Sequence, residues 1–257
     1  MHPHTVTRNR PPATVTGEGN GRAYDRVMSR SPMFIVTQVA PYPDGPSGVH
    51  GVLTQAATAL GELAGLAGLE PVTVSDVADF PPAELAGGGV LSLFTIGETP
   101  WTEAQRQAIT EGVRQGRLSV LGVHSATDAC RDWDDYALLV GARFDGHPWT
   151  QQFEVEIADK VHPATAHLSS PWRWHDEVYL FRDLRPDAHV LLRVAHGQLD
   201  MSLPEARVPA CGFPLAWCFT EGLGRAFYTS LGHFPGAWEN PTFLRHLAGG
   251  LAWTQDR

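Results

Sequence analysis

Short apolar runs that stop at small or polar residues, separated by stretches of helical periodicity, predict an α/β fold for residues 33–140 of this 257-residue chain, with a parallel, doubly wound sheet. The plainest run is Leu118 to Val123, which ends abruptly at His124, Ser125, Ala126 and Thr127. An apolar run with no polar face suits a strand covered by helices on both sides. After residue 150 the pattern changes. Phe153-Glu154-Val155-Glu156-Ile157 alternates apolar with charged, as a strand with one wet face does, and predicts an added antiparallel strand and hairpin region.

Each element has its own signal. Residues 1–32 carry Pro11, Pro12, several glycines and scattered arginines with no apolar periodicity. Such a segment buries too little surface to offset its ordering entropy, which predicts a disordered leader and a single domain over 33–257. Met33 to Val39 reads as the first strand, and Pro41, Pro43 and Pro46 stiffen the loop after it. Val52, Leu53, Ala56, Ala57, Leu60, Leu63 and Ala64 then recur at helical spacing, which places His50 in the first turn of the first helix. Val72 and Val74 mark a second strand and Val90 to Phe94 a third. Thr102 has the chemistry of an N-cap, with Glu103 and Gln105 in the first turn of a helix running to about Gly116. Further strands are expected at Val178 to Phe181 and His189 to Val194, and a hairpin joins 216–220 to 225–231 through Glu221-Gly222-Leu223-Gly224. A last helix runs from about Pro241 to Trp253, with Phe243, Leu244, Leu247 and Leu251 on its apolar side.

Composition narrows the function. At 43% hydrophobic the chain can fill a large core, and a net charge of −9 argues against nucleic acid, whose phosphates call for a basic stripe. No run approaches the roughly 18 apolar residues of a membrane span. The start of the chain lacks the apolar core of a signal peptide, and Cys130, Cys211 and Cys218 form no Cys-x-x-Cys pair, so reduced thiols in the cytoplasm are expected. Cys211 and Cys218, with no basic neighbour, read as inert.

The histidines carry the chemical signal. Open α/β sheets place their chemistry at the carboxyl ends of strands. His124 falls there, on a small-x-His-x-small stretch, Gly122-Val123-His124-Ser125-Ala126, with the spacing of a nucleophile elbow. Imidazole suits a metal or a proton better than covalent attack, and a histidine that merely caps the strand end is the competing reading of this stretch. His50, His147, His162, Asp176-Glu177 and His233 also fall at element ends. Three imidazoles and a carboxylate suit a divalent transition metal with an open position.

The series also resembles a known family, the ThuA-like (trehalose utilisation) proteins. The pieces that carry the resemblance are Tyr42-Pro43, Gly48-Val49-His50, Gly122-Val123-His124-Ser125, Gly141 to Phe144 with His147-Pro148, and Val161 to Thr165. They continue through Asp176 to Tyr179, Pro214 to Trp217, Gly222 to Arg225 and Tyr228 to His233, so that the likeness spans 33–254. The resemblance implies a flavodoxin-like sheet of the class I glutamine amidotransferase type and a role in carbohydrate metabolism. It does not imply glutaminase activity, because the elbow bears His124 where that chemistry needs a cysteine, and Cys130 lies six residues further on.

The residues and the resemblance together give one set of expectations. His50, His124 and His233 would hold a divalent metal ion, zinc or similar. His124, Glu177 and Tyr179 would be catalytic, with Glu177 either moving a proton or joining the ligands. His147, Trp149, Ser125 and Asp176 would meet substrate, and Trp149, Trp172, Trp174 and Trp217, read as loop residues, offer faces on which a sugar could stack. His147 and His162 precede prolines and suit turn architecture as well. Arg225 reads as an ion-pair partner, and His167, His175, His189, His196 and His246 as surface or core residues. The expected activity is a metal-dependent hydrolysis, elimination or isomerisation of a keto-sugar or related small molecule. The alternatives are a non-catalytic carbohydrate-binding or assembly protein on the same fold, and an enzyme of specialised metabolism using the same cleft. Aromatic residues after 145 are compatible with a homo-oligomer contact.

Overall fold

The computed structural model describes residues 30–46, 48 and 50–256. Residues 1–29, the greater part of the expected leader, lie outside the described residues, as do His2 and His4. The chain runs β1 (Pro32–Val36), α1 (Leu53–Leu66), β2 (Glu70–Val74), α2 (Pro82–Gly87), β3 (Gly89–Leu93), α3 (Glu103–Arg114), β4 (Leu118–Val123), α4 (Asp134–Val140), β5 (Arg143–Phe144) and β6 (Trp149–Ile157). It continues with β7 (Trp172–Val178), β8 (Phe181–Arg182), β9 (His189–Val194), β10 (Pro214–Glu221), β11 (Gly224–Thr229) and α5 (Pro241–Gln255). Among the described residues no helix is long and apolar enough to cross a membrane.

Nine strands form one sheet in the order β2-β1-β3-β4-β11-β10-β9-β6-β7. The first five are parallel neighbours, in the strand order of flavodoxin-like sheets, and the rest are antiparallel. Alternation along each parallel strand explains why their sequences look apolar throughout. Met33 and Ile35 of β1 enter one core with α1 and α5, while Phe34 and Val36 enter the other with α2, α3 and α4. All six residues of β4 are buried. The expected antiparallel region is thus a continuation of the same sheet, beginning at β10.

Local chemistry sets several boundaries. Thr102 caps α3 through a full capping box with Gln105, whose amide also donates to the Val77 and Phe80 carbonyls. His50 does not sit in the first turn of α1, as expected. The helix starts at Leu53, the first i to i−4 bond being Ala56 N to Val52 O, and His50 stays on the loop before it. The strand expected over 178–181 divides: β7 ends at Val178, and Phe181–Arg182 pairs with β5 instead. Trp149, Trp172, Trp174 and Trp217 are strand residues, with their rings in the two cores.

Two features of the sheet position the site. The strand order reverses between β1 and β3, the crevice where open α/β sheets bind ligands. The β6–β7 ribbon has seven paired positions, but β6 pairs with β9 only at Val155–Ile157, so the ribbon's other end is free to leave the sheet. It does so. β7 stands five strands from β4, roughly 24 Å in a flat sheet, yet its Glu177 lies 3.5 Å from His124 at the end of β4.

Candidate functional site

His124 stands on the turn that closes β4, with φ of 49°, a left-handed conformation unusual for a residue with a Cβ. The turn is held from below. Tyr228 donates its hydroxyl to the His124 carbonyl at 2.6 Å and shares a hydrogen bond with the Thr127 hydroxyl at 2.9 Å. A Cβ on Gly122 would meet the Tyr228 ring at 2.9 Å, so the glycine of the small-x-His-x-small spacing is there to let that ring in.

The His124 ring is fully buried and its tautomer is fixed. Nδ1 lies 2.7 Å from the Ser230 carbonyl oxygen, which can only accept, so Nδ1 carries the hydrogen and the neutral ring's lone pair is on Nε2. Around Nε2 are the Tyr179 hydroxyl at 2.8 Å, His233 Nδ1 at 3.1 Å and Glu177 Oε2 at 3.5 Å. His50 completes the group, its ring centroid 4.9 Å from that of His124 and 5.2 Å from that of His233. Among the described residues both His50 nitrogens are buried without a hydrogen-bond partner. Buried polar atoms are nearly always satisfied, so two unpaired nitrogens on one ring beside other imidazoles are compatible with a ligand position. One atom from each of His50, His124, Glu177 and His233 lies within 4.8 Å of the others, and among the described residues this is the one such group able to hold a metal ion.

Asp176 assembles the far side. Its Oδ2 accepts from Gly232 N (2.8 Å) and Trp174 Nε1 (2.9 Å), and its Oδ1 from Glu177 N (3.0 Å) and His233 N (3.3 Å). One carboxylate therefore ties the end of β7 to the loop that carries His233. The expectation that Asp176 meets substrate is corrected: it is wholly buried, and both oxygens are spent on the frame.

The environment separates the titrating groups. Burial, then the positive charge of His124 and His233 when protonated, lowers His50 to about 3. Burial pushes Glu177 up, but the imidazoles of His124 and His233 beside it outweigh that and hold the carboxyl well below the usual range. The same contact, with burial opposing it, raises His233. Burial, helped by the Glu177 charge, raises the Tyr179 hydroxyl well above its ordinary value. A carboxylate kept ionised thus sits beside a phenol kept protonated, the separation by which a site acquires a base and an acid at one pH.

Of the other predicted residues, His147 is brought to the mouth: its side chain is 45% exposed and Nδ1 is 3.8 Å from Glu177 Oε1. The Ser125 hydroxyl is buried with no protein partner, and is neither tied to the four ligand atoms nor exposed at the mouth. Trp149 is not at the site. Its ring is buried against Phe213 and its indole N–H donates to the Asp200 carbonyl at 2.7 Å, a core role that corrects the expected sugar contact. His162 braces its own turn, accepting from Ala164 N, and Arg225 binds the Trp253 carbonyl and Asp256 at the end of α5. Burial raises Cys130 to about 12, so no thiolate stands near the elbow. Sequence reasoning did not single out Phe94, whose ring packs edge-on against both His50 and His124 at 5.6 Å, or Tyr228 and Ser230, which fix His124. Tyr228 and Ser230 fall inside the stretch Tyr228 to His233, but only the three-dimensional contact reveals their task.

Comparison with known proteins places this geometry in context. A family profile described as trehalose utilisation (ThuA) matches residues 45–254. Among solved structures, a ThuA-like protein from Bacteroides uniformis superposes with a TM-score of 0.69 at 20% identity, covering 91% of this chain and 95% of the other. A ThuA-like protein from Parabacteroides merdae gives 0.66 at 17% identity, covering 88% and 90%. A cytoplasmic protein from Salmonella typhimurium gives 0.57 at 14%, covering 87% and 98%. At these identities the structures speak for the fold alone. No curated protein matches the sequence.

Proposed function

The chain belongs to the ThuA (trehalose utilisation) family, and from that premise we propose that it is a metal-dependent enzyme of the cytoplasm acting on a sugar or sugar-derived small molecule, most simply a keto-sugar undergoing elimination or isomerisation. The observation that carries the proposal is the convergence of His50, His124, Glu177 and His233 within 4.8 Å, with both His50 nitrogens left unpaired. This donor set, three imidazoles and a carboxylate, fits a divalent ion such as zinc. When bound, such an ion supplies Lewis acidity toward a carbonyl or hydroxyl oxygen.

The chain's own residues divide the remaining work. His124 offers Nε2 because Ser230 holds the hydrogen on Nδ1. Glu177 turns Oε2 toward the imidazoles and Oε1 toward His147, so its outer oxygen is placed to accept a proton from a substrate entering on the His147 side. Tyr179, kept protonated, is the complementary donor. Phe94, Tyr179 and the buried floor around His124 keep water from the inner face of the site. Hydrolysis is within reach of the same groups where water enters as the nucleophile and Glu177 takes its proton. Glutamine hydrolysis does not, since Cys130 is a buried thiol away from the elbow tip.

Elemental analysis of untagged protein, purified without added metal, tests the reading. The expected result is a ratio near one metal per chain, lost in His124→Ala together with turnover of keto-sugars. Metal content unchanged in that variant refutes the ligand assignment. Metal-free wild-type protein that also fails to take up zinc, manganese, iron or cobalt, yet binds sugars, returns the chain to the non-catalytic carbohydrate-binding alternative.

A further inference from the structure

The Tyr179 hydroxyl and the proposed metal need the same electron pair. The His124 ring has one lone pair once Nδ1–H is committed to the Ser230 carbonyl, and Tyr179 donates to that Nε2 at 2.8 Å. An imidazole nitrogen accepts one hydrogen bond or makes one metal bond along its lone-pair axis, not both. We propose that Tyr179 is a metal-gated donor: its hydroxyl caps His124 Nε2 while the site is metal-free, and is released toward substrate only when a metal ion takes that nitrogen. The proposal rests on the metal-dependent reading above and concerns the regulation of the same site.

The surroundings leave the released hydroxyl few other places to go. Tyr179 is buried, 3% exposed, between the rings of Phe144 (4.7 Å), His147 (5.9 Å) and Phe181 (6.0 Å), so the ring itself is fixed. Phe144 and Phe181 offer no polar atom, and His124 is the one hydrogen-bond partner the structure gives the hydroxyl. Rotation of the O–H bond alone, with no movement of the ring, changes what the group addresses. The polar groups near its ring are His147, 5.9 Å from it and 5.7 Å from the ring of Phe144, and Glu177, whose Oε1 lies 3.8 Å from His147 Nδ1. The arrangement would couple acid chemistry to occupancy: a chain without metal keeps its proton donor tied to a His124 nitrogen, and a loaded chain would leave that hydroxyl free to donate elsewhere.

The competition has a measurable sign. Tyr179→Phe removes the hydroxyl and keeps the ring, so the capping hydrogen bond no longer has to be given up when metal binds. A neutral hydrogen bond contributes enough that metal affinity should tighten roughly three- to tenfold. The measurement is competition of wild-type and Tyr179→Phe full-length protein for zinc against a chromophoric chelator. Tighter zinc binding by Tyr179→Phe supports the gate. Weaker binding overturns it, because the phenol would then be a ligand itself, and equal binding overturns it because no competition exists. If wild-type protein takes up no metal at all, the metal-dependent reading fails first, an outcome distinct from either. Thermal unfolding of metal-free Tyr179→Phe confirms that the variant is folded before affinity is compared.

Discussion

Replacing Asp176 by Asn keeps the shape of the side chain and removes half of its function. The four donors that converge on the carboxylate, Trp174 Nε1 and the amides of Glu177, Gly232 and His233, are shared two to each oxygen. Whichever oxygen becomes the amide group, its N–H bonds then face two N–H donors. Two hydrogen bonds are lost and two buried donors are stranded, at about 1–3 kcal/mol each, so a loss of about 2–6 kcal/mol of stability is expected. That is a large share of a domain's usual margin of about 5–15 kcal/mol. The same change loosens the backbone of two proposed ligands, Glu177 and His233, and should weaken metal binding roughly 10- to 100-fold, as outer-shell partners of ligands do. Urea unfolding followed by tryptophan fluorescence, together with a chelator competition, measures both effects. A variant within 0.5 kcal/mol of wild type, with unchanged metal affinity, would refute the reasoning that Asp176 organises the site.

Two further outcomes follow from buried groups. His246 is wholly buried, donates to the Ala164 carbonyl at 2.8 Å, and is lowered by its burial to about 4. The unfolded chain takes that proton near 6.5, so between pH 6.5 and 4 the unfolded state binds more protons and stability falls as pH is lowered, by up to about 3 kcal/mol across the window. His246→Asn keeps a donor to Ala164 and should flatten this slope; equal pH dependence of unfolding in both proteins would assign it elsewhere, to His50, His162 and His167, which burial also lowers. Gly122→Ala places a Cβ 2.9 Å from the ring of Tyr228, which is stacked on Trp217 at 4.3 Å and bonded to His124 and Thr127, and cannot move aside. Overpacking of that kind costs about 1–3 kcal/mol and should displace His124, seen as lost metal uptake in a protein that still folds; full uptake would show that the elbow tolerates the methyl group.

The parallel half of the fold was legible because its signals are local. Apolar runs such as Leu118 to Val123 need no partner to be recognised, and the cap at Thr102 is written within the four residues Thr102 to Gln105. Their carboxyl ends were legible with them, which is why His50, His124 and His233 could be named together. The failures share a cause as well. Trp149 looks like a loop residue in sequence, but pairing with Val178 makes it the first residue of β6, and alternation turns its ring inward. Asp176 and Glu177 look alike in sequence. On a strand, neighbours face opposite ways, so one carboxylate was bound to enter the frame and the other the site, and nothing local says which. Phe94, Tyr228 and Ser230 act on His124 across the sheet, through contacts that no sequence spacing encodes.

The division between the two halves of the sheet also explains how a scaffold of buried strands comes to hold three imidazoles, a carboxylate and a phenol in one place. The parallel strands can deliver side chains only from their ends, and the three imidazoles come from there, on turns set by packing beneath them. A carboxylate placed on such an end would share the same rim and the same solvent. Glu177 and Tyr179 instead arrive on a ribbon that leaves the sheet and closes over the rim, so the carboxylate meets the imidazoles at 3.3 and 3.5 Å while the phenol is buried behind them. The ionised carboxylate and the protonated phenol owe their opposite states to that closure: the histidines reach one, and the apolar wall of Phe144 and Phe181 encloses the other. A single carboxylate, Asp176, joins the ribbon to the His233 loop. The chemistry proposed for the rim therefore depends on the join between ribbon and sheet as much as on the four residues that would hold the metal.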